Sequence, residues 1–316
     1  MFSRRVLRLK AMQVLYGYFS GNNDNPIQAE KELSFSVTKS YHLFFHLLNL
    51  ITELADYAYI KIENAKQKKL PTAEDLNPNT RFIDNKVIDL IRNSSEMISF
   101  LQNYPYNWKQ NEEIIKRLYA KIISSDNFIK YMQKSDNDIN DDKKIVIAIY
   151  TEIIDGNEEI VQSLEEGSIF WNDDYEFIIS SIIKIINNIK SSELSIKIPD
   201  MYSHKEDEEF AKDLIYKTIK HHEYNEKLIS GYTRNWDVER IAQLDILLME
   251  MAITEFICMH EVPVKVSLNE YIELSKYYST DKSWAFINGV LDKIIDTLRK
   301  ENKIEKRGKG LLGEPT

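Results

Sequence analysis

The chain has 316 residues, enough for a substantial core and for about two domains of about 150 residues each. Its 9 glycines and 7 prolines are few, whereas sheet-rich and nucleotide-binding folds use glycine in tight turns. The single cysteine, Cys258, excludes an internal disulfide and suits a reducing compartment. The formal charge is −9, and the absence of an apolar run of about 18 residues predicts that no segment spans a membrane. We therefore expect a cytoplasmic, mainly helical protein.

Charge is distributed unevenly along this acidic chain. The first twenty residues carry four bases and no acid, and residues 299–309 carry six bases against two acids. A basic end can bind phosphate while the acidic remainder keeps the protein soluble. The negative net charge therefore does not exclude a nucleic-acid partner.

Apolar residues recur at helical spacing in long segments that polar stretches separate. The spacing predicts helices near 3–20, 38–65, 82–103, 109–133, 143–166, 173–190, 207–230, 236–259, 267–278 and 283–300. Alternating strand patterns are scarce. The predicted fold class is all-α, a helical bundle.

The first predicted helix has an apolar stripe and a polar face. The stripe, which must pack on another element, consists of Leu7, Ala11, Val14, Leu15 and Tyr18. Arg4 and Arg8 flank the stripe, whereas Arg5, Gln13 and Tyr16 project from the opposite side. Because guanidinium groups bind phosphate, aromatic rings stack on bases and amides read base edges, this face suits single-stranded RNA. A solvated basic face and a transit peptide are the alternatives.

The last hundred residues contain one helix that is predicted to be central. Residues 236–259 are apolar around most of the helix circumference. After Pro263, the pair Ser267 and Glu270 has the spacing of a capping box, and Ser283 can cap the last helix. We therefore expect helix 236–259 to be central, with the two helices that follow packed against it.

Known catalytic motifs are missing from the sequence. The patterns G-x-S-x-G, G-x-x-x-x-G-K and G-x-G-x-x-G do not occur. A di-metal helical bundle needs Glu-x-x-His pairs, and no glutamate stands three residues before His42, His46, His221 or His222. Cys258 has no neighbouring base in the sequence and is interpreted as a core residue. We predict no enzymatic activity, no cofactor and no metal site.

Two blocks near the C-terminus resemble a known family. Residues 263–276 read PVKVSLNEYIELSK, and residues 286–292 read FINGVLD. The start of the chain adds Arg4-Arg5-x-x-Arg8 and Gln13-x-Leu15-Tyr16. Together these motifs resemble the transcription antitermination factor NusB family, and the similarity covers about 110 residues.

The resemblance implies an all-helical RNA-binding protein that acts in transcription antitermination on ribosomal RNA operons. It implies boxA-type single-stranded RNA and ribosomal protein NusE as partners within the transcription elongation complex. The RNA contacts that it implies are Arg4, Arg5, Arg8, Gln13, Tyr16, Tyr232 and Phe286. Two positions depart from the family pattern: Glu250 stands where many members have arginine, and Lys282 stands where an acidic residue usually opens the last helix.

The resemblance also predicts the domain organisation, a NusB-like core with an additional helical extension. In chain order, we expect a basic helix packed on the C-terminal core (1–20), a lineage-specific helical extension (21–205), the NusB-like core (206–300) and a basic tail (301–316). The glycines and mixed charge of the tail predict that it is disordered. The alternative function is an acidic helical scaffold that binds protein and has lost its RNA surface.

Overall fold

The computed structural model describes residues 1–21, 25–104, 108–136, 138–171, 173–190, 192, 195–233 and 242–313. Within this part of the chain there are fifteen α-helices and no β-strand, which confirms the all-α prediction. None of the described helices combines the length and the apolar character needed to cross a membrane.

The helices differ widely in length, and so do the connections between them. In chain order they are α1 (Arg4–Ser20), α2 (Pro26–Lys66), α3 (Ala73–Leu76), α4 (Lys86–Arg92), α5 (Ser95–Asn103), α6 (Glu112–Ser124), α7 (Asp126–Met132), α8 (Ile139–Ile149), α9 (Glu158–Gly167), α10 (Tyr175–Asn188), α11 (Glu206–Lys220), α12 (His222–Tyr232), α13 (Gln243–Cys258), α14 (Val264–Tyr278) and α15 (Ser283–Lys300). The chain forms two compact units: unit 1 contains Met1–Val37 and Met201–Thr316, and unit 2 contains Thr38–Asp200.

Some predicted helix boundaries differ from the observed ones because side-chain caps were not recognised. Helix α2 begins twelve residues before the predicted start, where Asn25 Oδ1 accepts a hydrogen bond from the Ile27 amide and Pro26 occupies the first helical position. The predicted helix 82–103 is two helices, because the Ser94 hydroxyl caps α5. Ser125 likewise divides the predicted helix 109–133. Internal serines read as ordinary polar helix positions when only periodicity is considered.

Helix α13 is the centre of unit 1. Helices α1, α11, α12, α14 and α15 all pack against it, and every residue from Leu247 to Phe256 is buried. The predicted start of this helix at residue 236 lies outside the described residues.

The two predicted serine caps in this unit are wrong. Helix α14 begins at Val264, and Ser267 lies inside it, where its hydroxyl donates a hydrogen bond to Glu255 Oε1 at 2.6 Å. Ser283 is the first residue of α15, and its hydroxyl donates to Asp245 Oδ2 at 2.7 Å. Both serines therefore bind buried acids on α13 instead of capping their own helices.

Two contacts tie the first residues of the chain to the distant core. The Phe2 amide donates to the Met201 carbonyl at 2.8 Å, and the Ser203 amide donates to the Phe2 carbonyl at 3.1 Å. Residues 25–37 and 201–205, which we expected in the extension, belong to unit 1 together with α1. Helix α1 itself packs against α11 and α13.

The second contact is a buried ion pair between Arg8 on α1 and Glu255 on α13. Arg8 Nε donates to Glu255 Oε2 at 2.9 Å, and Arg8 Nη2 donates to Oε1. The hydroxyls of Ser267 and Tyr271 also donate to this carboxylate. Burial is the largest single effect and raises the pKa of Glu255, but the charge of Arg8 and the hydrogen bonds from Arg8, Ser267 and Tyr271 together outweigh it. The pKa of Glu255 therefore lies below its ordinary value. The carboxylate is thus fully hydrogen-bonded where α1, α13 and α14 meet.

The C-terminal segment packs against the end of α13, so the expectation of a disordered tail is corrected for residues 301–313. The Arg307 amide donates to the His260 carbonyl at 2.9 Å. Lys306 Nζ donates to the carbonyls of Glu255 and Met259 at the C-terminal end of α13, where a cation interacts favourably with the helix dipole. Gly310 approaches His260 so closely that a Cβ atom there would lie 2.0 Å from the carbonyl oxygen.

Unit 2 is organised around the part of α2 that begins at Thr38. Three buried aromatic side chains donate hydrogen bonds to carbonyl groups of this helix. These bonds are Trp108 Nε1 to His46, Tyr150 Oη to Leu47 and Trp171 Nε1 to Lys39, at 2.8 to 3.0 Å. Tyr150 opens a π-helical turn, Tyr150–Ile154, directly after α8. Because tyrosine and tryptophan need partners for their polar atoms when buried, these bonds fix how the surrounding helices pack on α2.

We expect the Arg8 and Glu255 substitutions to be strongly non-additive. Arg8→Met or Glu255→Leu alone leaves a buried charge without its partner and costs about 3–5 kcal/mol of the free energy of unfolding. The double variant removes both charges, so it costs much less than the sum of the two single changes. Urea denaturation of the four proteins measures this coupling, and additive losses would contradict the assigned role of the pair.

Gly310→Ala is expected to detach the tail, because the added methyl group collides with the His260 carbonyl. Limited trypsin digestion at Lys306 and Arg307 should then become faster than in the parent protein. Gly289→Ala on α15 is the control, since a Cβ atom there meets open space. Equal cleavage rates in the parent and both variants would show that the tail is not held at this point.

Candidate nucleic-acid interface

The three N-terminal arginines occupy different environments. Arg8 is 2% exposed and holds Glu255, so its guanidinium does not reach the surface, and we remove it from the expected RNA contacts. Arg4 is half-buried; it donates to Asp207 Oδ1 at 2.9 Å, and its guanidinium lies over the Phe210 ring. The helical wheel placed Arg4 and Arg8 beside the apolar stripe but could not show that each of them pairs with a buried acid.

Arg5 is the most exposed of the three. Its side chain is 63% accessible and forms a bidentate pair with Glu270 on α14, with N–O distances of 2.8 and 2.7 Å. The hydrogen bonds and charge of Glu270 raise the pKa of Arg5 above its ordinary value. A guanidinium has five N–H donors and Glu270 accepts from two of its nitrogens, so donors remain for an anion at the surface.

Gln13 and Tyr16 continue the face of α1 that Arg5 begins. Gln13 is half-buried, and the Tyr16 ring is 43% exposed. From Arg5 to Tyr16 the helix rises about 16 Å. Charge, amide and aromatic ring thus follow one another along a single helix.

The structure does not bring Tyr232 and Phe286 together. The Tyr232 hydroxyl is hydrogen-bonded to the Thr297 hydroxyl in the second half of α15, whereas Phe286 is half-buried in its first turn. The helical rise separates Thr297 from Phe286 by about 16 Å along α15. Ser283, one turn from Phe286, contacts Asp245 at the start of α13, so Phe286 lies at the end of unit 1 where α13 begins.

Further exposed aromatic rings lie at the turn between α14 and α15. Tyr277 is 81% exposed and Trp284 is 45% exposed, and Lys276 Nζ lies 5.9 Å from the centre of the Trp284 ring. Sequence reasoning passed over these rings. The signal that could have found them is an aromatic group beside lysine at a helix junction, a combination that suits base stacking and phosphate binding.

A pocket of about 250 Å³ lies beside the last turns of α1, within unit 1. Tyr16 and Phe19 line it from α1, His222 from α12 and Glu250 from α13. The Phe19 and His222 rings stack with their centres 4.4 Å apart, and His222 Nδ1 lies 2.8 Å from Glu250 Oε2.

Glu250 is 2% exposed, although it borders this pocket. Burial raises the pKa of Glu250 to about 7; the hydrogen bond and charge of His222 act in the opposite direction, and the charge of Glu226 adds to the increase. Glu250 therefore changes protonation near neutral pH.

The other candidate chemistry does not assemble into a site within the described residues. No group of three or more metal-ligating side chains is placed to hold an ion there. His46 is stacked on Trp108, and burial lowers the pKa of His46 to about 4. Burial also raises the pKa of the Cys258 thiol, which makes it less nucleophilic.

Comparison with known proteins agrees with the resemblance. The family model described as NusB family matches residues 175–296. The transcription antitermination protein NusB of Salinibacter ruber is 42% identical over 108 residues, which cover 34% of this chain and 68% of that protein. The chain belongs to the NusB family. No solved structure matches it significantly.

Two further NusB proteins match a similar length of the chain. The protein of Chloroherpeton thalassium is 40% identical over 109 residues, covering 33% of this chain and 52% of that protein. The protein of Finegoldia magna is 37% identical over 98 residues, which cover 31% of this chain and 70% of that protein. The family match begins at residue 175, the first residue of α10. We expected the NusB-like core to begin later in the chain, at residue 206.

The motif residues have structural roles in this NusB family member. Within residues 263–276, Ser267 and Tyr271 hold the buried Glu255 carboxylate. Of the two departures, Lys282 is exposed at the N-cap of α15, where a cation is unfavourable to the helix dipole. Glu250 is buried beside His222 and lines the pocket. Glu250 thus adds a carboxyl group next to the expected RNA face.

Replacing Glu250 with glutamine is expected to change how stability depends on pH. Because the folded pKa of Glu250, about 7, lies above the ordinary value of 4.5, the folded parent binds more protons than the unfolded chain between these values. Its free energy of unfolding therefore falls as pH rises through this window. Glu250→Gln lacks this loss, so its stability relative to the parent should increase from about pH 5 to about pH 8.

Urea denaturation at several pH values measures this difference. Glu223→Gln, an exposed change on the same helix as His222, is the control and should follow the parent at every pH. A constant difference between Glu250→Gln and the parent would contradict the shifted ionisation.

Proposed function

We propose that this chain is a cytoplasmic transcription antitermination factor that binds boxA-type single-stranded RNA together with ribosomal protein NusE. It would act within the transcription elongation complex on ribosomal RNA operons, and it would not be an enzyme. Membership of the NusB family supports this proposal, as do the relatives that are named transcription antitermination proteins. The observation that carries it is the face of α1 with Arg5, Gln13 and Tyr16, which a buried ion pair fixes on the core.

Each group on this face matches a part of single-stranded RNA. Arg5 supplies charge for phosphate, Tyr16 supplies a ring for stacking, and Gln13 supplies an amide for a base edge. Arg4 adds a half-exposed guanidinium at the start of the same helix. At the end of unit 1 where α13 begins, Phe286 is the candidate for a further stacking contact, whereas the bonded hydroxyl of Tyr232 leaves only its half-exposed ring for one.

The Arg5–Glu270 pair limits how strongly this surface binds RNA. RNA phosphate competes with the Glu270 carboxylate for the same guanidinium, so binding by this chain alone is weak and falls steeply with salt. A protein partner that contacts the same RNA raises the overall affinity through effective concentration. A weak RNA-binding surface of this kind supports NusE as a partner in the proposed function.

The occupied Arg5 guanidinium and the carboxyl group at position 250 also suit the second candidate, an acidic helical scaffold that binds protein and no RNA. The two functions differ in one measurable property. Only the first requires salt-dependent binding of single-stranded RNA, with or without NusE.

We expect Arg5→Glu to weaken binding of short single-stranded RNA about tenfold or more, because it replaces a phosphate-binding cation with an anion beside Glu270. Fluorescence anisotropy at several salt concentrations, without and with NusE, measures this effect. Arg117→Glu in unit 2 is a matched control, since Arg117 is 55% exposed and paired with Glu159 at 2.6 Å. It should retain the parent affinity.

Equal weakening by both arginine variants would mean that binding reflects overall charge and not the face of α1. If no RNA binds at low salt in either the presence or the absence of NusE, the scaffold function is correct. Circular dichroism of each variant verifies that the helices are intact.

A further inference from the structure

The pocket beside α1 combines aromatic walls with a buried carboxyl group. We propose that it binds one unstacked nucleobase carrying an exocyclic amino group, which donates a hydrogen bond to Glu250 while the base packs against Tyr16 and Phe19. This inference rests on the proposed RNA-binding function and specifies one base that the protein reads.

The rings provide the packing that a single base needs. Tyr16 is partly exposed at the pocket, and the stacked Phe19 and His222 rings form another part of its lining. Single-stranded bases are commonly held between aromatic side chains, including histidine. A volume of about 250 Å³ is below the usual range for drug-sized ligands and suits one planar ring system.

The polar groups select the edge of the base. The bond to His222 involves Oε2 and is the one hydrogen bond of the Glu250 carboxyl group within the described part of the chain, so Oε1 can accept another. Gln243 adds an exposed amide on the same pocket. A carboxylate accepts from the amino groups of cytosine, adenine or guanine, whereas uracil offers carbonyl oxygens at the corresponding positions.

The position of the pocket favours a base over a cationic side chain of a protein partner. The pocket continues the face of α1 on which Arg5 and Gln13 lie, and Tyr16 belongs to both. A neutral amino group can donate to Glu250 in either protonation state, because a protonated carboxyl group keeps an acceptor oxygen. A buried cation would instead require the full negative charge of the carboxylate.

The test compares base preferences of the full-length chain. The affinity of the protein for fluorescently labelled oligouridylate of roughly twelve nucleotides is compared with its affinity for three versions of this RNA. The three versions contain one central cytidine, adenosine or guanosine, respectively. We expect at least one substituted oligonucleotide to bind about tenfold more tightly than oligouridylate. Glu250→Ala should bring this ratio close to one. The matched control Glu223→Ala, an exposed position on α12 that does not line the pocket, should retain it.

Tyr16→Ala is the second variant, since its partly exposed ring can be removed with little risk to folding. It should also reduce the ratio, because the base loses its packing partner. A ratio near one in the parent, or an unchanged ratio in Glu250→Ala, would overturn the inference while salt-dependent binding of oligouridylate leaves the proposed function intact. Absence of all RNA binding would overturn both.

The same variants identify the competing occupant. If Glu250→Ala weakens NusE binding but not the preference among oligonucleotides, the pocket belongs to the protein partner and the inference is wrong. If NusE binding is unchanged and the preference disappears, the pocket is a base-binding site.

Discussion

The architecture of unit 1 depends on one buried ion pair between residues 247 positions apart, Arg8 and Glu255. A carboxylate at the centre of an apolar bundle is costly unless charge and hydrogen bonds compensate it. Arg8, Ser267 and Tyr271 provide that compensation from α1 and α14. Removing any of these three side chains leaves the buried carboxylate with an unsatisfied hydrogen-bond acceptor. The ion pair therefore determines how α1 packs on α13.

The orientation that this pair imposes determines which side chains of α1 reach solvent. With Arg8 directed into the core, Arg5 and Tyr16 are exposed, and the last turns of α1 border a pocket with α12 and α13. An arginine-rich helix can thus use one guanidinium for stability and another for recognition. If this face binds RNA as proposed, Glu270 beside Arg5 and the buried Glu250 make the binding more selective than that of a simple basic patch.

Helix periodicity predicted the all-α class, the central helix and the apolar stripe of α1, because these depend on local spacing. It could not assign the roles of Arg8, Ser267 and Ser283, since each is decided by an acid brought close only by folding. The prediction of a disordered tail was wrong for residues 301–313 for the same reason. Its glycines and mixed charge are typical of disorder, but Gly310 permits a close approach to the His260 carbonyl that only folding creates. The pocket was beyond prediction because its lining combines three helices.

Photocrosslinking identifies the part of the protein that RNA contacts: RNA containing 4-thiouridine is bound to the protein and irradiated, and the crosslinked peptides are identified by mass spectrometry. If α1 is held on the core by Arg8 and carries the RNA-binding face, we expect crosslinks to the α1 peptide that contains Tyr16 and to peptides from the start of α13 or α15. Crosslinks confined to unit 2, or specific RNA binding without any crosslink to α1, would contradict it.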